Sequence, residues 1–214
     1  MRTYSELGLD RAQWEDALRS REQQLGYTQG YKLLFCPWAT LKRARVAFIS
    51  LNPGRPPDGA DLRVVSDERG NSYEVERSYT ASPITEQFLQ FCDFLDVAPS
   101  EVLTGVAAPF RSCGWGQLSS VQKNEALAMG TAFWSQALNQ EIKMVVAVSK
   151  EAARVAQDAL GARFETAIPS GWGEVQIQIF QGAHGRRLVQ LPHLSRFKLF
   201  GRPGSEPYLR KALL

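Results

Sequence analysis

Arg45-Val-Ala-Phe-Ile-Ser-Leu-Asn-Pro-Gly54 is the stretch on which the fold turns. Val46, Phe48, Ile49 and Leu51 make a short apolar run rich in β-formers, the pattern of a strand covered on both faces in a parallel sheet. Pro53 and Gly54 then stop it. Open α/β sheets hold ligands in the crevice beyond the carboxyl ends of their strands, so the side chain of Asn52 is delivered to a binding edge. Asn-Pro is also a common turn signal, and a turn cap is the simpler role for Asn52 when this motif stands alone.

Outward from this strand, helical and strand patterns alternate. Residues 10–25 form an amphipathic helix, followed by a turn around Gly26 and Gly30 and an aromatic-rich segment from Tyr31 to Trp38. Residues 1–40 thus read as an N-terminal helical and aromatic extension, a lid or buttress, on a single domain spanning 1–214. Residues 55–82 are a long polar stretch with turn signals at Pro56-Pro57, Asp58-Gly59 and Arg69-Gly70-Asn71, and a loop of that length is functional or disordered. Pro83 opens a helix running to 96, with Ile84, Phe88, Phe91 and Leu95 on one face. A strand over 101–110, a Gly114-Trp115-Gly116 turn and a helix over 119–138 come next. They precede a strand over 143–148 and a helix over 150–160 that Gly161 terminates. Residues 175–180 alternate with period two, as on a sheet edge or in a half-buried strand, and 187–191 form a further strand that runs into Pro192-His193. Strands alternating with helices predict a three-layer α/β/α sandwich with a mostly parallel central sheet.

Composition narrows the function classes. With 214 residues and 44% hydrophobic content the chain can bury one sizeable core. No apolar run approaches the roughly 20 residues that cross a bilayer, and Arg2, Glu6 and Asp10 stand where a signal peptide has its apolar core. A soluble, cytoplasmic monomer with no membrane partner is expected. Cys36, Cys92 and Cys113 are scattered and only two histidines are present, which argues against a disulfide framework, a zinc site or an iron–sulfur cluster. No metal and no cofactor are expected, and Cys92 and Cys113 read as small buried apolar residues. Trp115 and Trp172, each flanked by glycines, read as plugs at the ends of the sheet before they read as base-stacking platforms.

Charge is uneven. From Gly185 to Leu214 seven basic residues face one acid, Glu206, in a chain whose net charge is only +3. This marks either a polyanion-facing edge or a solvated helical face with its tail.

His193 stands at a strand end, as Asn52 does, and opens the run Leu194-Ser-Arg-Phe-Lys-Leu-Phe-Gly201 inside that basic segment. A lone histidine after a strand is more often a hydrogen-bonded structural residue. Two strand-end polar residues about 140 positions apart are a different matter, because parallel strands deliver both to one crevice.

With these residues the chain resembles the uracil-DNA glycosylase superfamily, in divergent form. Ser50-Leu-Asn-Pro-Gly54 is similar to the family's first motif as found in the mismatch-specific and single-strand-selective branches. Pro192-His-Leu-Ser-Arg196 is similar to the second motif, Val102 to Arg111 to the strand that reads the base, and Phe200 to Lys211 to the segment beyond the second motif. The anchors span Val46 to Lys211, about three quarters of the chain.

The resemblance implies a DNA glycosylase that hydrolyses the N-glycosidic bond of a damaged or mismatched base, uracil or a related one, flipped out of single- or double-stranded DNA. It makes Asn52 the residue that orients the attacking water and His193 the donor to the carbonyl oxygen of the departing base. Leu51, Pro53, Gly54, Gly105, Phe110, Tyr73 and Tyr79 become base-site residues, with the three aromatics as stacking candidates. Leu194, Ser195, Arg196 and Phe197 are placed at the minor groove, where an apolar or Arg side chain can wedge into the vacated stack, and Arg196, Lys198 and Arg202 at phosphates.

The departures point the other way. Leu194 and Arg196 replace prolines of the second motif, and Gly105 stands where several branches carry the Asn that reads the uracil edge. A glycine there argues against strict uracil specificity and leaves space for a larger or modified base. The alternative is therefore a non-catalytic member of the fold that binds nucleic acid or a nucleotide. A serine or cysteine hydrolase finds no support, since neither His184 nor His193 belongs to a nucleophile motif such as G-x-S-x-G; His184 reads as part of an exposed turn.

Overall fold

The computed structural model describes residues 4–56, 59–79 and 82–214. The strands are β1 (Tyr31–Lys32), β2 (Val46–Ser50), β3 (Arg63–Val64), β4 (Val102–Val106), β5 (Met144–Val148), β6 (Arg163–Pro169), β7 (Gln176–Gln181) and β8 (Arg187–Leu191). The helices are α1 (Arg11–Leu25), α2 (Ser72–Glu76), α3 (Pro83–Leu95), α4 (Ser120–Ala137), α5 (Lys150–Leu160) and α6 (Glu206–Leu213). Six strands form one sheet in the order β4-β2-β5-β8-β7-β6. The first four run parallel, β7 is antiparallel to β8, and β6 is antiparallel to β7.

The buried run of β2 is explained by its place between β4 and β5, with a core on each face of the sheet. Ala47 and Ile49 turn to the side that holds Trp14 and Leu18 of α1, Phe133 of α4 and Val155 of α5. Phe48 turns to the other side, against Phe88 and Phe91 of α3, where Leu209 and Ala212 of α6 also lie. This is a mixed α/β fold with a mostly parallel sheet, arranged as an α/β sandwich.

Local chemistry sets the helix ends. The Asp10 carboxylate accepts from the amides of Ala12 and Gln13 at the start of α1, and Ser119 with Gln122 forms a capping box on α4. Gly161 ends α5 in the left-handed region at φ 58°, where a side chain would be strained. Gly130 answers a packing need instead: a Cβ there would lie 1.7 Å from the carbonyl oxygen of Ala107, so α4 rests directly on the chain leaving β4.

Several expectations are corrected. Within residues 4–40, read as an extension, Trp14, Leu18, Tyr31, Leu33 and Leu34 are fully buried in the main core. Leu34 bridges to Gly105 of β4, and β1 pairs with β3 in a separate two-stranded parallel sheet. The polar stretch after β2 is no plain loop, since it holds β3 and α2, the latter capped by Asn71. Pro57 and Asp58, which belong to two of its turn signals, lie outside the described residues. The strand expected over 101–110 is regular only over Val102–Val106, with Ala107 and Ala108 still bonded to the neighbouring chain beyond it. β6 was not foreseen: it is the sheet edge, largely exposed, and it makes the alternating strand β7 an interior one. Cys113 is exposed, whereas Cys92 is buried and its thiol is pushed up to about 12 by that burial. Among the described residues, no helix is long and apolar enough to cross a membrane.

Candidate functional site

β2, β5 and β8 are neighbours pointing the same way, so their carboxyl ends meet on one edge. There a cavity of about 1070 Å³ opens, lined by Asn52 beyond β2, Val148 at the end of β5 and His193 beyond β8. Leu51, Pro53 and Gly54 line it as well. The two strand-end residues singled out from sequence thus share one cavity.

Asn52 is held from the neighbouring strand's extension. Ala107 and Ala108 continue the ladder beyond β4, donating to the carbonyls of Ser50 and Leu51 at 2.8 Å each, and so carry Ser112 alongside. Asn52 Nδ2 donates to Ser112 Oγ at 2.9 Å and to its neighbour's carbonyl, Pro53 O, at 3.2 Å. A carbonyl only accepts, so the amide nitrogen must be the end that faces Pro53. Both amide hydrogens are then engaged. Oδ1 is left as the acceptor, and among the described residues no donor reaches it.

His193 is exposed, with Nδ1 2.6 Å from Ser195 Oγ. Its own carbonyl accepts from the amides of Arg196 and Phe197 at 2.9 Å each, so the ring stands at the head of a tight turn. With Nδ1 occupied by the hydroxyl, Nε2 is the nitrogen offered to a ligand.

The remaining expected residues divide. Tyr73 lines the cavity but is buried, packed on Phe88 at 4.7 Å and edge-on to Phe48, and burial holds its hydroxyl well above the ordinary phenol range. Tyr79, 57% exposed, also lines the cavity. Phe110 does not, for it stacks on Tyr27 at 3.8 Å inside the core. Gly105 is also away from the cavity: it pairs with Ile49 in mid-strand, and a Cβ there would lie 2.6 Å from Leu33 O and 3.0 Å from Trp134. The position offers no space for a larger base. Leu194 is fully buried in the core beneath its turn and so is no wedge. Arg196, Lys198 and Arg202 are exposed, Ser195 and Phe197 half-buried. Arg202 lies 4.3 Å from the ring of Trp172, which meets Phe197 edge-on at 6.1 Å. Trp172 packs against the core, as a plug does.

A charged part of the cavity's lining was not anticipated from the sequence. It carries Lys32, Phe35, Asp67, Arg69, Glu76 and Arg111. Lys32 is 5% exposed, with Nζ 3.1 Å from Asp67 Oδ2, 3.9 Å from Glu76 Oε1 and 4.8 Å from the ring centre of Phe35. Arg69 grips Asp67 with two bonds of 2.9 Å, and Ser72 donates to the same carboxylate at 2.8 Å. Burial alone would raise the Asp67 carboxyl, but Arg69, Lys32 and Ser72 together hold it below the usual carboxylate range. Burial lowers Lys32, raises Glu76 and lowers Arg111. Arg111 donates to the carbonyls of Leu62 at 3.2 Å and Gly54 at 3.4 Å, bracing the turn that follows Asn52. One signal for this wall stood in the sequence: Lys32 is a lone charge inside the apolar run Tyr31 to Leu34. Among the described residues, no group of three or more His, Cys, Asp and Glu side chains is arranged to hold a metal.

No protein-family model matches the chain, and no curated protein matches it.

Proposed function

We propose that the protein hydrolyses the N-glycosidic bond of a flipped base in DNA, as a divergent relative of the uracil-DNA glycosylases with their three-layer sandwich. One observation carries this reading: Asn52 and His193, on separate strands, open into one cavity with the Asn52 carbonyl oxygen left to accept. Asn52 Oδ1 holds a water by accepting its hydrogen bond and so fixes the direction of attack; the contribution is orientation, since an amide is no base. The water oxygen forms the new bond to the sugar C1′ while the C1′–N bond breaks and its electron pair leaves with the base. With Nδ1 accepting from the Ser195 hydroxyl, His193 donates its Nε2–H to a carbonyl oxygen of the base, where negative charge grows, and the water's spare proton passes to solvent. Arg196, Lys198 and Arg202 stand exposed beside His193 to take phosphates.

The second reading, nucleic-acid or nucleotide binding without chemistry, draws on the same exposed cations and on the altered second motif. One experiment separates the two. Labelled single- and double-stranded oligonucleotides carrying uracil, thymine opposite guanine, hypoxanthine or an oxidised base are incubated with the protein, and abasic sites are read by alkaline cleavage. Release that disappears in Asn52→Ala and in His193→Ala supports hydrolysis. Binding with no release of any base leaves the binding role.

A further inference from the structure

We propose that Lys32 and Glu76 form a donor–acceptor couple that reads the hydrogen-bonding edge of the base bound in this cavity. The ligand class is a heterocycle with a donor and an acceptor side by side on one edge, either a lactam as in thymine and uracil or an amidine as in cytosine. This rests on the reading of the cavity as a base pocket.

The argument is one of unmet hydrogen-bonding capacity. Asp67 has its oxygens taken by Arg69, Lys32 and Ser72. Arg111 is turned to the carbonyls of Leu62 and Gly54. Lys32, an ammonium with three hydrogens, gives one to Asp67 and is 3.9 Å from Glu76, too far for a direct hydrogen bond. The carboxylate of Glu76, at the last turn of α2 and 22% exposed, has no hydrogen bond to another described residue. A donor-only group and an acceptor-only group therefore face the same cavity at a spacing that neither closes. An edge with adjacent donor and acceptor satisfies both at once. Phe35 beneath Lys32 gives the ring a half-buried aromatic surface in the same wall. The bland account, an ion pair that only steadies α2, predicts no dependence on what the base edge carries. No β4 side chain lines the cavity to supply this contact, and Gly105 is sealed under Leu33.

The test uses an oligonucleotide of abasic tetrahydrofuran residues with one base at its centre: thymine, cytosine, or difluorotoluene, which has the shape of thymine but not its hydrogen bonds. Binding is read by fluorescence anisotropy for the native protein, Glu76→Met and Lys32→Met, each checked for folding by thermal melting. The native protein is expected to prefer thymine or cytosine over difluorotoluene by about tenfold or more. Each variant is expected to bring that ratio near one while binding to the wholly abasic strand stays unchanged. The preferred base names the edge as lactam or amidine. Equal native binding of all three, or a ratio that persists in folded Glu76→Met, overturns the proposal. Edge preference without base release would keep the couple and remove hydrolysis; release without edge preference would do the reverse.

Discussion

The amide nitrogen of Asn52 lies 2.9 Å from the hydroxyl of Ser112, sixty positions further along the chain, and this bond helps decide which end of the amide meets the cavity. In the proposed reaction Ser112 is a positioning residue, acting through Asn52. Ser112→Ala is expected to lower base release about tenfold with oligonucleotide binding unchanged, the loss that misorientation of a water-holding group produces. Ser112→Thr, which keeps the hydroxyl, should restore it. Native rates in the alanine variant would show that Pro53 alone suffices.

In the proposed reaction His193→Ala removes a donor aimed at developing charge, and release should fall by about 10²–10³-fold while affinity for DNA changes little. Ser195→Ala leaves the ring but removes the partner 2.6 Å from Nδ1, and a smaller loss of about tenfold is expected. Single-turnover rates for both variants would check the order.

Installing an Asn at Gly105, as the family resemblance invites, should not create a base reader. The new Cβ would press on Leu33 O at 2.6 Å, so Gly105→Asn and Gly105→Ala should each destabilise the fold by about 1–3 kcal/mol or more. Denaturant midpoints would measure this. A stable Gly105→Asn variant with new uracil preference would contradict the structure.

Asp67 anchors the charged wall, and Asp67→Asn should cost about 3 kcal/mol, because Lys32 and Arg69 lose their shared carboxylate. The folded protein holds this carboxyl below its ordinary value. Its stabilisation is therefore complete above the unfolded pKa, near pH 4, and is lost as pH falls through that value toward the folded one. Stability curves of the native protein and Asp67→Asn should differ most above about pH 5 and converge in acid. Parallel curves down to pH 2 would mean that Asp67 does not titrate with folding.

Replacing Arg196, Lys198 and Arg202 together by Gln should flatten the salt dependence of DNA binding, by about 0.7–0.9 in log–log slope for each phosphate no longer neutralised. An unchanged slope would move the DNA path away from this turn.

The legible parts of the molecule were those written locally. Caps such as Asp10, Ser119 and Gly161 bound their helices within a few residues, and the apolar runs of β2, β5 and β8 announce strands covered on both faces. Once β2 and β8 are parallel neighbours of β5, Asn52 and His193 reach the same edge of the sheet. The charged wall was illegible because distant contacts place it: Lys32 donates its amide to Pro109 O at 2.9 Å, and Ser72 donates its amide to Phe35 O at 2.6 Å. Gly105 misled because motif alignment gives a position along β4 but not what covers it. β6 escaped notice because an exposed edge strand, with Phe164 outward, has no clean alternation to detect.

The segment that bears Lys32 and Phe35 is sewn into the molecule through its main chain. Tyr31 donates to Leu62 O, Leu33 to Val64 O, Leu34 to Val65 O and Phe35 to Thr104 O, at 2.8 to 3.1 Å. Such a wall cannot swing aside as a lid without unzipping those bonds. Whatever enters must fit itself to this side of the cavity, and there the work of deformation falls on the ligand, which for a stacked nucleotide means leaving its neighbours first.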